Sequence, residues 1–217
     1  GVTISPHGAA PPQGTRQWTG QIASSPDGKT WPDVVDVSFL PPQKWDCHSN
    51  AFFDDELQTY VAVTRSVDAW RQVSVAQSEG DAWSFDTSER LPITLNGTEE
   101  HQPYTQITWK WLNMYLGLVM VYDADDPVGE VHCRMVYSTS LEGGGKWQWV
   151  GGDHVLAAPD FIPLGDAEAF DSHIIFAAAK PFQYGTGDAA EEYLYYMGGN
   201  GPHDGERDSA FGLAKLR

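Results

Sequence analysis

A turn of one composition recurs along this chain: "SPDGKTW" at 25–31, "SEGDAW" at 78–83 and "SLEGGGKW" at 140–147. The residue types suit a hairpin corner. Ser and Asp or Glu side chains bond turn amides, Gly takes the positive φ, and Trp packs between neighbouring sheets. Trp31, Trp83 and Trp147 stand 52 and 64 residues apart, and each closes a strand, turn, strand unit. A repeat of about 50 residues built from four short strands is the pattern of a propeller blade. The fold predicted is therefore all-β, a β-propeller of four-stranded antiparallel blades, with the three Trp residues at equivalent corners. Three unrelated hairpin turns are the plainer reading.

The strands that such blades need are visible. "TYVAVTR" (59–65), "RQVSVAQ" (71–77), "YLGLVMVY" (115–122), "VHCRMVYS" (131–138), "HIIFAAA" (173–179), "YLYYMG" (193–198) and "FGLAKL" (211–216) are short, rich in Val, Ile and Tyr, and bounded by turn residues. Period-two alternation in 131–138 puts Val131, Cys133, Met135 and Tyr137 on one face, with His132, Arg134 and Ser138 on the other. No stretch carries a helical period. Residues 1–16 lack any period and are rich in Pro and Gly, so they read as an extended arm. Beyond the arm come a partial blade at 17–44 and blades over about 45–95, 96–160 and 161–217. Each full unit opens on a polar strand, "WDCHSNAFF", "HQPYTQITW" or "AFDSHIIFAA". In a propeller the first strand of a blade lines the central channel, so these polar side chains converge on the axis.

Charge narrows the partners. With 13 basic against 30 acidic residues, a formal net charge of -17 repels nucleic acid and anionic membrane surfaces. No apolar run approaches the ~20 residues of a membrane-spanning helix. Two cysteines, Cys47 and Cys133, are too few for a disulfide framework and read as free buried thiols. Asn96-Gly97-Thr98 is a glycan acceptor triplet, of a kind common by chance. The chain opens on Gly1 with no hydrophobic leader, which reads as a processed or trimmed product.

The ordered motifs "WDCHSNAFFDDELQTYVAVTR", "RQVSVAQSEGDAW", "YLGLVMVYD", "DFIPLG", "AFDSHIIFAAAKP" and "YYMGGNGPHDG" resemble those of the five-bladed β-propeller glycoside hydrolases, the broad group containing glycoside hydrolase families 32, 43 and 68. The resemblance runs from about Trp18 to Arg217. It implies a glycosidase acting on a polysaccharide or oligosaccharide outside the cytoplasm, extracellular or periplasmic. Members of that group carry a whole first blade whose inner strand supplies a catalytic Asp, and here only the "SPDGKTW" ending of such a blade is present. They also place a Glu at the start of a middle inner strand as general acid. This chain reads Glu99, Glu100, His101, Gln102 there; Gln102 cannot donate a proton usefully, so Glu99 or Glu100 must serve. The incomplete ring leaves edges for a missing segment or another chain to cover.

Glycoside hydrolysis needs two carboxyl groups across the scissile bond, one protonated and one ionised. Asp46 and Asp171 form the strongest pair, because each opens a predicted inner strand and each is followed two residues later by a His, His48 and His173, on the same face. The opposing reading is that both acids cap turn amides. No cofactor is expected, although these four side chains also suit a divalent cation such as calcium at the axis, a possibility ranked below sugar binding. Arg65 and Arg71 hold a substrate group or pair with acids of the chain. Trp45 and Tyr104 are candidate sugar platforms, and His203 in "GPHDG" lies on a loop able to reach the mouth of the funnel. Trp109 and Trp111 read as core, and His101, His132 and His154 as structural hydrogen-bonded groups. The alternative function is a non-catalytic carbohydrate-binding or structural propeller that has lost part of its acid set. A protein-interaction propeller requires an axis filled by apolar side chains.

Overall fold

The structure, a computed structural model, describes residues 2–6, 20–37, 49–67, 70–78, 93–95, 97–141 and 147–216. Among them it is all-β, with sixteen strands and a single 3-10 turn at Gly187–Ala189. Three sheets form, and the largest curls into a half-barrel.

The first sheet joins β1 (Val2–Pro6), β2 (Gly20–Ser24) and β3 (Asp33–Val37) in the order β1-β2-β3. Part of the expected arm is thus a strand: Val2 to Pro6 pairs antiparallel with Ser24 to Gly20. Val2, Thr3 and Ile4 carry enough β-propensity to pair once a partner strand is supplied, whatever the Pro and Gly that follow. The second sheet is an antiparallel meander of β4 (Asn50–Asp54), β5 (Thr59–Val67), β6 (Arg71–Gln77) and β7 (Ile93–Leu95).

The third sheet has nine strands. β8 (His101–Trp111), β9 (Met114–Asp123), β10 (Val131–Ser138) and β11 (Gln148–Trp149) form one meander, and β12 (Asp160–Ile162) also pairs with β10. β13 (Ile174–Ala177) and β14 (Phe182–Tyr184) lie along one side of β15 (Glu191–Gly199), and β16 (Ser209–Lys215) along the other. A single parallel pair, Val131 with Ile174, joins the two groups into one sheet.

Two apolar clusters fill the space between these layers. One gathers Val61, Val63, Val73 and Val75 from the second sheet with Val119, Val121 and Val136 from the third. The other lies within the third sheet, around Leu118, Met120, Cys133, Ile174 and Leu194. Because β10 contributes to both, its burial changes phase along its length. Val131 and Cys133 are buried, then Val136 and Ser138, while Met135 and Tyr137 are only half-buried. Simple alternation fails there because each end of the strand is covered on a different face, and the pairing with β12 shifts register between Cys133 and Arg134. Burial pushes the Cys133 thiol up to about 12, consistent with an inert free thiol. Cys47 lies outside the described residues.

Polar ties fix the second sheet on the third. Asn50 Nδ2 donates to the Thr108 carbonyl at 3.0 Å. Asp54 is fully buried and accepts bonds from the Tyr115 hydroxyl, from Lys110 Nζ at 3.2 Å, and from the amides of Glu56 and Leu57 at 2.9 and 3.1 Å. Burial alone opposes ionisation of this carboxyl, but those donors outweigh it and hold it below the ordinary carboxylate range.

The turn at 25–31 is built as its composition suggests. Asp27 Oδ1 accepts from the amides of Lys29 and Thr30, each at 2.8 Å, and Ser25 Oγ accepts from the Gly28 amide at 2.8 Å. The bond from the Thr30 amide, followed by that from Lys29, lowers Asp27 to about 2, and Gly28 takes φ 70°. The Trp residues are not equivalent, however. Trp31 is 37% exposed, Trp147 is buried in the first cluster, and Trp83 lies outside the described residues, as does Asn96. Trp109 is buried as expected, whereas Trp111, beside the β8–β9 hairpin, is exposed.

Replacing Asp54 by Ala strips the tie between the sheets and leaves Tyr115 and Lys110 without their shared acceptor, so Asp54→Ala should cost about 3 kcal/mol. Its carboxyl is depressed in the folded state, so the contribution is present above the unfolded value of 3.8 and is lost as pH falls below it. Urea denaturation at pH 7 and pH 3 checks both points: the gap between wild type and variant should be wide at pH 7 and narrower at pH 3.

Candidate functional site

Four residues named from sequence meet in one stack. Tyr104 sits at an irregularity in β8: Pro103 pairs with Val121 and Thr105 with Met120, so Tyr104 is the extra residue of a β-bulge. A Pro that cannot donate to the ladder favours such a break, and a bulge re-aims its side chain. The guanidinium of Arg65, from β5, lies 4.4 Å from the centre of the Tyr104 ring, and that of Arg71, from β6, lies 5.0 Å from it. Arg71 also stands 5.0 Å from the Tyr122 ring of β9. His203, on the loop between β15 and β16, packs against Tyr104 at 5.1 Å and Tyr122 at 4.7 Å. Phe176 of β13 meets Tyr104 edge-on at 5.3 Å.

Cation and ring contacts of this kind are worth about 0.5–2 kcal/mol each, more when desolvated, and Arg65 is 3% exposed. Gln102, standing where the resemblance expects an acid, accepts a bond from Arg71 Nη1 at 2.7 Å and donates to the Glu99 carbonyl at 3.0 Å. Burial holds the His203 imidazole below its ordinary range; Asp204, 3.0 Å from Nδ1, pulls the other way, and Arg71 and Arg207 add to the depression.

Beside the stack opens a cleft of about 1010 Å³. Its lining includes Asn50 and Phe53 of β4, Tyr104 and Trp109 of β8, Phe176 of β13, Phe211 of β16, and Lys180 and Arg207 from loops. Phe53 and Phe211 are 37% and 80% exposed, so their rings are available to a ligand. Tyr104 lines the cleft too, but the two guanidinium groups and two neighbouring rings occupy it, which makes it a support rather than a platform.

Of the expected acids, Asp171 and Glu100 fall elsewhere. Asp171 is buried and accepts a bond from the Tyr196 hydroxyl at 2.7 Å. A Cβ on Gly165 would stand 2.2 Å from Asp171 Oδ1, one on Gly198 2.4 Å from Asp171 Cβ, and one on Gly212 2.3 Å from the Tyr196 ring, so three glycines make the slot for this pair. Burial, then the bond to Asp171, pushes the Tyr196 hydroxyl up to about 12. Asp171 does not line the cleft. His173 meets the Ser172 hydroxyl through Nδ1 at 2.9 Å, and its backbone joins Val131 and Gly199. Glu99 and Glu100 are exposed on the turn ahead of β8, where Glu100 lends its carbonyl to the Ala124 amide. Trp45, Asp46 and His48 lie outside the described residues.

Three further histidines stand beside carboxylates. His132 Nδ1 is 3.0 Å from Asp160 and its Nε2 3.2 Å from Glu130, while Arg134 Nε is 3.1 Å from the other Asp160 oxygen. The bond to Asp160 holds the His132 imidazole above its ordinary range against the effect of burial. His101 and His154 lie 3.7 and 3.5 Å from Asp123 and Asp153. Among the described residues, no group of three His, Cys, Asp or Glu side chains could hold a metal ion, and no helix is long and apolar enough to cross a membrane.

Asn50 shares the period-two face of Asp46 and His48 in the sequence, but Phe53, Lys180, Arg207 and Phe211 were not singled out. They come from segments far apart in the chain, and none carries a motif. No model of a known protein family matches the chain, and no curated protein matches it.

The Asp171 environment yields a stability prediction. Tyr196→Phe leaves a buried carboxylate without its donor and should cost about 1–3 kcal/mol, with Asp171→Ala lowering the melting temperature as well. Chemical denaturation of both variants checks this. An unchanged midpoint for each would mark Asp171 as a solvated functional acid instead.

Proposed function

We propose that this protein binds a saccharide in the cleft beside Tyr104, as a carbohydrate-binding protein of propeller-like build. The observation that carries the reading is the make-up of the walls: exposed rings of Phe53 and Phe211 face a space that also holds Asn50, Lys180 and Arg207. A sugar ring presents C–H faces and hydroxyl edges together, and a cleft with apolar walls and a few polar groups matches both. The volume of about 1010 Å³ is at the upper end of ordinary ligand sites and suits several sugar rings. The propeller reading draws support from the sheets, since the sequence units over about 45–95, 96–160 and 161–217 each contain an antiparallel meander. Polymeric saccharide as ligand places the protein outside the cytoplasm, extracellular or periplasmic, and nucleic acid remains disfavoured by the net charge of -17.

Hydrolysis is the second reading, favoured by one observation. Asp46 precedes Asn50, which lines the cleft, by four residues. Catalysis needs a pair of carboxyls, and the only carboxylate lining the cleft among the described residues is Asp55, exposed in the β4–β5 turn. Binding without turnover is therefore the leading reading.

Titration calorimetry against a panel of plant, algal and microbial oligosaccharides tests it. At least one should bind, and Phe211→Ala and Phe53→Ala should each weaken that binding about tenfold, with melting temperature unchanged in Phe211→Ala, whose ring is 80% exposed. Binding indifferent to both substitutions would overturn the assignment to this cleft. Release of reducing ends by the wild type, abolished in Asp46→Asn with binding kept, would promote the second reading over the first.

A further inference from the structure

Charge is distributed against the average of the chain in this cleft. Acids outnumber bases 30 to 13 overall, yet among the described residues the lining contains Lys110, Lys180 and Arg207 against Asp55 alone. Lys110 is spoken for, with Asp54 at 3.2 Å and Glu56 at 2.8 Å. Lys180 and Arg207 are not: the ion pairs among the described residues all involve other cations. A chain with this excess of carboxylates has many ways to neutralise a surface cation, so two left unneutralised on one cleft call for an account.

Arg207 is also held in place. Its Nη1 donates to the carbonyls of Pro202 at 3.0 Å and His203 at 2.6 Å. Its stem lies over backbone that has no side chain to displace it: a Cβ on Gly199 would come within 3.1 Å of Arg207 Cδ, and one on Gly201 within 2.9 Å of its Cβ. Both bonds use one nitrogen. The other edge of the guanidinium, Nε with Nη2, has the planar fork that matches the two oxygens of a carboxylate or sulfate. Orienting such a fork in advance reduces the conformational freedom lost on binding.

We propose that the saccharide taken by the cleft is anionic, bearing a carboxylate or sulfate group that Arg207 receives in its fork with Lys180 as a second cation. This rests on the saccharide reading above and adds the ligand's charge. Selectivity is local. Glu206 and Asp208, which flank Arg207, form no ion pair with it, and screening over a Debye length of about 8–10 Å weakens the pull of acids farther off. The rings of Phe53 and Phe211 contribute contact area to charged and neutral sugars alike, so charge discrimination falls to Arg207 and Lys180.

Paired probes separate charge from shape. Oligogalacturonate is compared with its methyl-esterified form, and a sulfated galactan oligosaccharide with its desulfated form, by titration calorimetry on the full chain. In at least one pair the charged member should bind about tenfold tighter or better; which pair it is identifies carboxylate or sulfate as the group recognised. That advantage should shrink as salt is raised. Arg207→Gln and Lys180→Gln should each reduce it severalfold, with the charged and the neutral member titrated side by side on each variant; both side chains are exposed, so neither substitution disturbs the core. Equal affinities within both pairs, or preference for the neutral members, would overturn the inference while the saccharide reading stands. If no charged probe binds and the wider panel of neutral oligosaccharides also fails, both are overturned.

Discussion

The contact on which the arrangement depends is the stack of two arginines on Tyr104. Arg65 comes from β5, Arg71 from β6, Tyr104 from β8, Tyr122 from β9, Phe176 from β13 and His203 from the β15–β16 loop. One bulged residue thereby touches the second sheet and both halves of the third. Guanidinium groups tolerate such a setting because they are planar and weakly hydrated, and the negative faces of the rings offset part of the cost of taking their charge out of water. Asp54 with Tyr115 and Lys110, and Asn50 with Thr108, repeat the cross-sheet tie further along β8. The cleft is the gap that these ties leave between the two sheets.

This division explains why Asp171 and Glu100, acids that drew notice in the sequence, are absent from the residues that line the cleft. Asp171 is satisfied by Tyr196 and hemmed by Gly165 and Gly198, an environment that fixes the chain where β13 begins. Gln102, in the place where the resemblance expects an acid, orients Arg71. At these two places the polar strand starts supply structure. Among the described residues the cleft is lined by apolar rings, an amide, three cations and one carboxylate, Asp55.

How much of this could be read in advance follows from the range of each interaction. β6 and β10 were legible to the residue, because Val-rich runs bounded by turn residues depend only on near neighbours. The Asp27 turn was legible for the same reason. β1 was obscured by the Pro and Gly beyond it, and the change of phase in β10 arises from two separate cores that no local pattern contains. Arg65, Arg71, Tyr104 and His203 were named as ligand contacts and do gather, but on one another, with Tyr104 lining the cleft as a support. Pro103 carried the signal for the bulge that brings Tyr104 there. Phe53, Lys180, Arg207 and Phe211 had no such signal, since only the tertiary arrangement of β4, β16 and two loops makes them neighbours of one space.

The central claim is that the Tyr104 stack binds the second sheet to the third. Native-state hydrogen exchange on Tyr104→Leu tests it most directly, because Leu keeps apolar bulk at the bulge and removes the ring that both guanidinium groups share. Amides of β4 to β6 and of β13 to β16 should lose protection together, although none of those strands contains the substitution. Loss confined to β8 and β9, with the other strands as protected as in the wild type, would contradict it.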